Sequence, residues 1–144
     1  MKQQKQGGFL IAKIHQLTGR IFSKLLKKYQ IEINPAQGRI MFVLWRNDNI
    51  TIQELSTKTS LSKTSLTTML DRLENMGYIK RVPSKKDRRK IYIELTEKDK
   101  TLQEKYVQVS QEMTEIFYNG FSENEINDID RTLEKLFQNL LMYE

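Results

Sequence analysis

Residues 50–95 read ITIQELSTKTSLSKTSLTTMLDRLENMGYIKRVPSKKDRRKIYIEL, and they hold the most informative local signals in the chain. Near its start, Gln53–Thr59 suits a helix of two turns and Ser60–Leu61 suits a tight turn. Ser62 has a side chain that can cap a second helix, and Gly77 has the backbone freedom to follow its end. The stretch therefore predicts a helix-turn-helix.

A β-hairpin is predicted directly after these helices. Ile91–Leu95 alternates apolar and polar residues, which is the period of a half-buried strand, and Tyr78–Val82 precedes it as a partner strand. Between them lies the sequence PSKKDRRK at residues 83–90, which is too long for a two-residue turn. A hairpin placed after a helix-turn-helix predicts a winged helix-turn-helix.

Helices are predicted on both sides of this unit. Phe9–Tyr29 carries apolar residues every three or four positions, and Asn34-Pro35 suits the start of another helix. Thr96–Asp99 resembles a capping box that opens a helix reaching about residue 118, and Ser122–Glu125 has the full capping-box pattern. The predicted fold class is mainly α with a small β-hairpin wing: a winged helix-turn-helix flanked by N- and C-terminal dimerisation helices.

The positive charge of the chain is concentrated in the winged unit. Residues 53–90 hold ten basic and four acidic residues, a net charge of +6, whereas the remainder holds 14 of each and is neutral. Such a local field attracts polyanions and gains free energy by releasing their counterions. Charge alone also fits a solvated face, so the prediction of double-stranded DNA as partner depends on the motifs as well.

Several classes of function are excluded by composition. The chain has no cysteine and one histidine, and it lacks a Gly-rich phosphate loop or a nucleophile-base pattern. The sequence therefore predicts no catalytic residue, no cofactor and no metal site, and hence no enzyme. Without a signal peptide in residues 1–8 or an apolar run long enough to cross a bilayer, we expect a cytoplasmic protein with no membrane partner.

Two sets of side chains suit DNA recognition. The second helix of the unit can enter the major groove, where short hydroxyl side chains near its start reach bases and phosphates. Arginine in the wing suits the narrow minor groove. The predicted DNA-binding residues are Ser62, Lys63, Thr64, Ser65, Thr67, Thr68 and Arg72 in the helix, and Lys85, Lys86, Asp87, Arg88, Arg89 and Lys90 in the wing.

At these residues the chain resembles the MarR family of winged helix-turn-helix regulators. The most specific stretch is LTTMLDRLENMGYI at residues 66–79, and Asp87-Arg88-Arg89 is similar to the family's Asp-x-Arg wing motif. The segments IELTEK at residues 93–98 and Asn34-Pro35-Ala36-Gln37 also match. The resemblance covers about residues 9–141 and implies a transcriptional regulator, usually a repressor.

The resemblance also implies roles for parts of the chain. It implies a recognition helix over Ser62–Met76, a wing over Pro83–Lys90, and a wing arginine, Arg89, that enters the minor groove. Asp87 would orient the wing through an ion pair, for which Arg72 is a candidate partner; the alternative is an ordinary exposed pair.

A homodimer follows from the resemblance, with the first, fifth and sixth helices interleaved. The apolar stripes on the first and last helices agree, because a small winged-helix core cannot cover both; the alternative is that they pack within one chain. A two-fold dimer would place two recognition helices about 34 Å apart, which predicts a pseudo-palindromic operator. We expect one domain over residues 1–144, with a DNA-binding lobe at about 34–95 and dimerisation helices at about 9–30 and 96–142.

The absence of cysteine and the single histidine disfavour the thiol-oxidation and zinc-sensing modes of some family members. Two modes of regulation remain: a small-molecule effector, which is often a phenol or aromatic acid in the family, or no effector at all. The expected effector-binding residues are His15, Arg20, Tyr29, Phe42 and Trp45, although side chains of this kind more often form core. A protein-interaction adaptor is the alternative function, and it would expose apolar anchors at the recognition helix.

Overall fold

The computed structural model describes residues 4–144, so the first three residues of the polar N-terminal segment lie outside it. The described residues form six helices and one small sheet, which confirms the predicted fold class. The elements are α1 (Gly7–Lys28), α2 (Pro35–Arg46), β1 (Ile50–Thr51), α3 (Ile52–Thr59), α4 (Lys63–Asn75), β2 (Ile79–Pro83), β3 (Ile91–Leu95), α5 (Asp99–Phe117) and α6 (Glu123–Leu141).

These elements fall into two compact units. The first ends at Val109 and contains the winged helix-turn-helix, and the second begins at Ser110 and contains the end of α5 and all of α6. The core of the first unit is built from side chains that are almost fully buried. They include Ile40, Met41 and Leu44 of α2, Leu55 of α3, Leu66, Leu70 and Leu73 of α4, Ile93 of β3 and Val109 of α5.

The helix ends follow the local signals in the sequence. The Asn34 side chain accepts from the backbone N–H of Gln37, and the Gln37 side chain accepts from that of Asn34, so both bonds of a capping box are present. Ser62 caps α4 by accepting from the N–H of Ser65. Gly77 follows the end of α4 with φ of +88°, a conformation that costs glycine little because it has no Cβ. These three predictions are confirmed.

The sheet contains a strand that the sequence did not predict. Strand β1 pairs with β3, and β3 pairs with β2, so β3 is central and every pairing is antiparallel. Ile93 of β3 lies opposite Ile50 on one side and opposite Arg81 on the other. The two residues of β1 are too few to show a period.

The predicted capping box at Thr96–Asp99 is wrong. Helix α5 begins at Asp99, and the Thr96 hydroxyl donates instead to the carbonyl of Gly77 at 2.5 Å. The buried Asp99 carboxylate accepts from the indole N–H of Trp45, with 2.9 Å to each oxygen. The side chains of Thr96 and Asp99 therefore bond to distant parts of the chain instead of capping α5.

The apolar stripes of α1 and α6 are uncovered in the single chain. Leu10, Ile14 and Leu17 of α1 are each about half exposed. On α6 the corresponding residues are Leu133, Leu136, Phe137 and Leu140, with exposed fractions from 40% to 69%.

Candidate nucleic-acid interface

Helix α4 presents a polar face at its N-terminal end. Lys63, Thr64, Ser65 and Thr68 are exposed, whereas Leu66, Leu70 and Leu73 face the core. The Thr67 hydroxyl donates to the carbonyl of Lys63 at 2.8 Å, so its oxygen keeps lone pairs for an outside donor. Every helix residue predicted to bind DNA, Ser62 and Arg72 included, is exposed.

The wing loop is held by its own hydrogen bonds. Ser84 anchors its base, because its N–H donates to the carbonyl of Lys90 and its hydroxyl accepts from the N–H groups of Lys86 and Asp87. Lys85, Lys86, Arg88 and Lys90 are exposed along the loop. The loop therefore presents its cations on a folded backbone.

Asp87 pairs with Arg89 and not with Arg72, so the expected Arg72 partner is wrong. The Arg89 backbone N–H and its Nε both donate to Asp87 Oδ1, at 3.0 and 3.2 Å. These two bonds lower the pKa of the Asp87 carboxyl, the backbone bond having the larger effect. The Arg89 side chain is 91% exposed, so its guanidinium is oriented by Asp87 yet open to a ligand.

A basic groove connects the wing with the helices. It has a volume of about 620 Å³, and its lining includes Lys63 of α4, Arg89 and Lys90 of the wing, and Thr57 and Lys58 of α3. Glu54 also lines this groove. Thr57 and Lys58 are not among the predicted DNA-binding residues, although Lys58 contributes to the positive charge of this segment.

The residues expected to bind an effector are not brought together as a set. His15 and Arg20 line a shallow groove of about 560 Å³ on α1, together with Lys24 and Lys27. Trp45 packs against the ring of Tyr106, with 4.9 Å between centroids, and donates to Asp99.

Phe42 and Tyr29 lie elsewhere. Phe42 is exposed beneath the guanidinium of Arg46, and the ring of Tyr29 lies 5.3 Å from Nζ of Lys28. No cluster of three or more histidine, aspartate or glutamate side chains that could hold a metal ion occurs in residues 4–144. Over the same residues no helix is long and apolar enough to span a membrane.

A capped recognition helix beside a basic hairpin, with both supported by one core, defines a winged-helix DNA-binding protein. Comparison with known proteins agrees. The MarR family model matches residues 33–91, which include the whole helix-turn-helix. The winged unit of this chain therefore matches the MarR family model, and most of the chain is similar to MarR-family transcriptional regulators.

Individual relatives extend the match beyond the winged unit. The transcriptional repressor IacR of Pseudomonas putida is 26% identical over 132 residues, which are 92% of this chain and 78% of IacR. A MarR transcriptional regulator from Methanosarcina mazei Go1 aligns with a TM-score of 0.86 at 26% identity, covering 98% of this chain and 100% of that one. A mutant of MarR from E. coli, solved in complex with operator DNA, aligns with a TM-score of 0.80 at 25% identity, covering 90% of this chain and 91% of that one.

Proposed function

We propose that this chain is a sequence-specific repressor that binds a pseudo-palindromic operator as a homodimer in the cytoplasm. The observation that carries the proposal is the placement of an exposed, hydroxyl-rich helix start beside an exposed arginine wing on one positively charged unit. IacR is named a repressor, and the E. coli MarR structure contains operator DNA, which supports the same role here.

Each part of the interface has its own task in this proposal. The residues Lys63, Thr64, Ser65, Thr67, Thr68 and Arg72 would contact base edges and phosphates in the major groove. Arg89 would enter the minor groove, and Asp87 would orient its guanidinium beforehand. Lys58 and Thr57 would contact the phosphates that cross the groove between α3 and the wing. The face holds hydroxyls instead of apolar anchors, which favours DNA over a protein partner.

The homodimer is supported by the exposed stripes. A second copy of the chain would cover Leu10, Ile14 and Leu17 of α1 and the leucines of α6. Burying apolar side chains that are now about half exposed would favour association. In an ultracentrifuge, Leu136→Asp should sediment as a monomer at concentrations where the wild type is a dimer; an unchanged dimer would remove α6 from the interface.

The groove on α1 is the candidate binding site for a small-molecule effector that would release the DNA. Arg20, Lys24 and Lys27 line it with His15, so an aromatic carboxylate suits it better than a neutral phenol. Calorimetric titration with benzoate and with phenol should show heat only for benzoate. Arg20→Ala should abolish that heat, and binding of benzoate by that variant would place the site elsewhere.

The function is tested by selection and one substitution. Genomic fragments retained by the protein should share an inverted repeat, and a random collection of retained fragments would contradict sequence-specific binding. Arg89→Ala should then weaken binding to the selected duplex by more than about tenfold while the dimer persists. Lys100→Ala is the matched control, because it removes the same charge from an exposed lysine on α5. Equal binding by the Arg89 variant and the wild type would refute the wing assignment.

A further inference from the structure

One side of the recognition helix is occupied by the wing strand β2. Thr67, Asp71 and Glu74 are spaced by four and three residues, so they form one stripe along α4. Arg81 of β2 contacts all three positions. Its Nη2 donates to Asp71 Oδ1 at 2.5 Å and to the Thr67 carbonyl at 3.2 Å, and its backbone N–H donates to Glu74 Oε2 at 3.0 Å.

The position of β2 in the sheet explains the backbone bond. Because β2 is an edge strand, N–H groups on its outer side have no strand to pair with. Glu74 accepts from the N–H of Arg81, while Ile93 lies opposite Arg81 on the inner side. The helix therefore takes the place of a further strand at this point of the edge.

The Arg81 side chain is held more tightly than the cations of the DNA-facing surface. It is 25% exposed, whereas Arg89 is 91% exposed. Its Nε is buried without a hydrogen-bond partner in the described part of the chain, so the guanidinium is partly enclosed by neighbouring atoms as well as paired with Asp71. Arg81 is thus poorly placed to contact DNA and well placed to connect two elements that do.

We propose that Arg81 is a positioning residue that sets the wing at a fixed angle to the recognition helix. It lies three residues before Ser84, the anchor of the wing loop, and its three contacts span two turns of α4. This inference rests on the proposed DNA-binding function. It adds that α4 and the wing residue Arg89 bind one duplex together only while Arg81 holds the wing against α4.

The substitution Asp71→Asn distinguishes a positioning role from a purely electrostatic one, because the two roles predict opposite changes in DNA affinity. Removing an acidic charge from the DNA-facing unit should strengthen DNA binding if only charge matters. If the Arg81–Asp71 pair positions the wing, the same change should weaken binding to the selected duplex by about fivefold or more, and Asp71→Glu should restore it. Glu97→Gln is the matched control, because it breaks an exposed pair with Lys100 and should change affinity less than twofold.

A double-mutant cycle identifies the wing as the element that is positioned. Arg89→Ala should cost more than about tenfold in the wild type but less than threefold in the Asp71→Asn background, because a displaced wing no longer contributes its arginine. Additive losses, or tighter binding by Asp71→Asn, would overturn the proposal. Each variant is measured well below its melting temperature. If Asp71→Asn is unstable, Arg81→Lys takes its place, because it keeps the charge but loses the two-pronged contact. Arg81→Lys should then weaken binding by the amount expected for Asp71→Asn. Failure of the wild type to select any duplex would instead refute the function itself.

Discussion

Gly38→Ala tests the packing between α2 and α5. A Cβ at position 38 would lie 2.6 Å from the hydroxyl oxygen of Tyr106 and 3.0 Å from the nearest ring carbon, which is closer than side-chain atoms tolerate. The ring cannot move aside easily, because it is buried between Phe22 and Trp45, with centroids at 5.7 and 4.9 Å. Tyr106 therefore requires glycine at this point of the helix.

The expected size of the effect follows from two opposing terms. Alanine stabilises a helix interior by about 0.5–1 kcal/mol relative to glycine, whereas forcing an extra group into a packed core costs about 1–3 kcal/mol. We expect a net loss of about 1 kcal/mol in the free energy of unfolding. In a Tyr106→Phe background the closest clash is gone while the ring carbon at 3.0 Å remains, so the loss caused by Gly38→Ala should become smaller.

Urea unfolding followed by circular dichroism measures this, with all variants at one protomer concentration because association adds to stability. Gly19→Ala is the matched control, since a Cβ there meets nothing within 4 Å and should stabilise α1 by about 0.5–1 kcal/mol. A clash with Tyr106 would be ruled out if Gly38→Ala were as stabilising as Gly19→Ala, or if Tyr106→Phe left the effect of Gly38→Ala unchanged.

Two further predictions concern salt and alkali. The wing and the start of α4 carry six cations in each chain. If about half of these cations contact phosphates, a dimer makes about six such contacts, and its affinity should fall about a thousandfold between 50 and 200 mM salt. A flat response in a binding titration would contradict phosphate contacts. Burial raises the pKa of Tyr106 from 10.0 to about 12, so the unfolded chain loses this proton first and stability should fall as pH rises above 10, by about 1 kcal/mol at pH 11. Urea midpoints from pH 8 to 11 should show a smaller fall for Tyr106→Phe, and parallel curves would place the loss elsewhere.

The features that the sequence predicted are those set by neighbouring residues. The cap at Ser62, the helix start at Asn34-Pro35 and the glycine that follows α4 at position 77 each depend on backbone groups within a few positions. The alternating pattern of β3 likewise identifies the wing, since a strand with one buried face must alternate.

The features that it missed depend on contacts between distant residues. Asp99 accepts from Trp45 across 54 positions, and this contact overrides the local capping pattern at the start of α5. The bond from Arg81 to Asp71 is not visible in any helix or strand period, because it joins two elements. The Asp87–Arg89 pair is an exception, because its partners are only two residues apart inside the loop, where no helix or strand period applies.

The contacts of Arg81 also limit how the DNA preference of this chain could change during evolution. On α4 the leucines at 66, 70 and 73 are committed to the core, and the side chains of Asp71 and Glu74 are committed to β2. New base preferences would have to arise through the few remaining side chains of the helix. Those positions are Lys63, Thr64, Ser65, Thr67, Thr68, Arg72 and Asn75, which are all exposed. A library that varies them alone therefore covers most of the operator specificities that this scaffold can acquire without losing the angle of its wing.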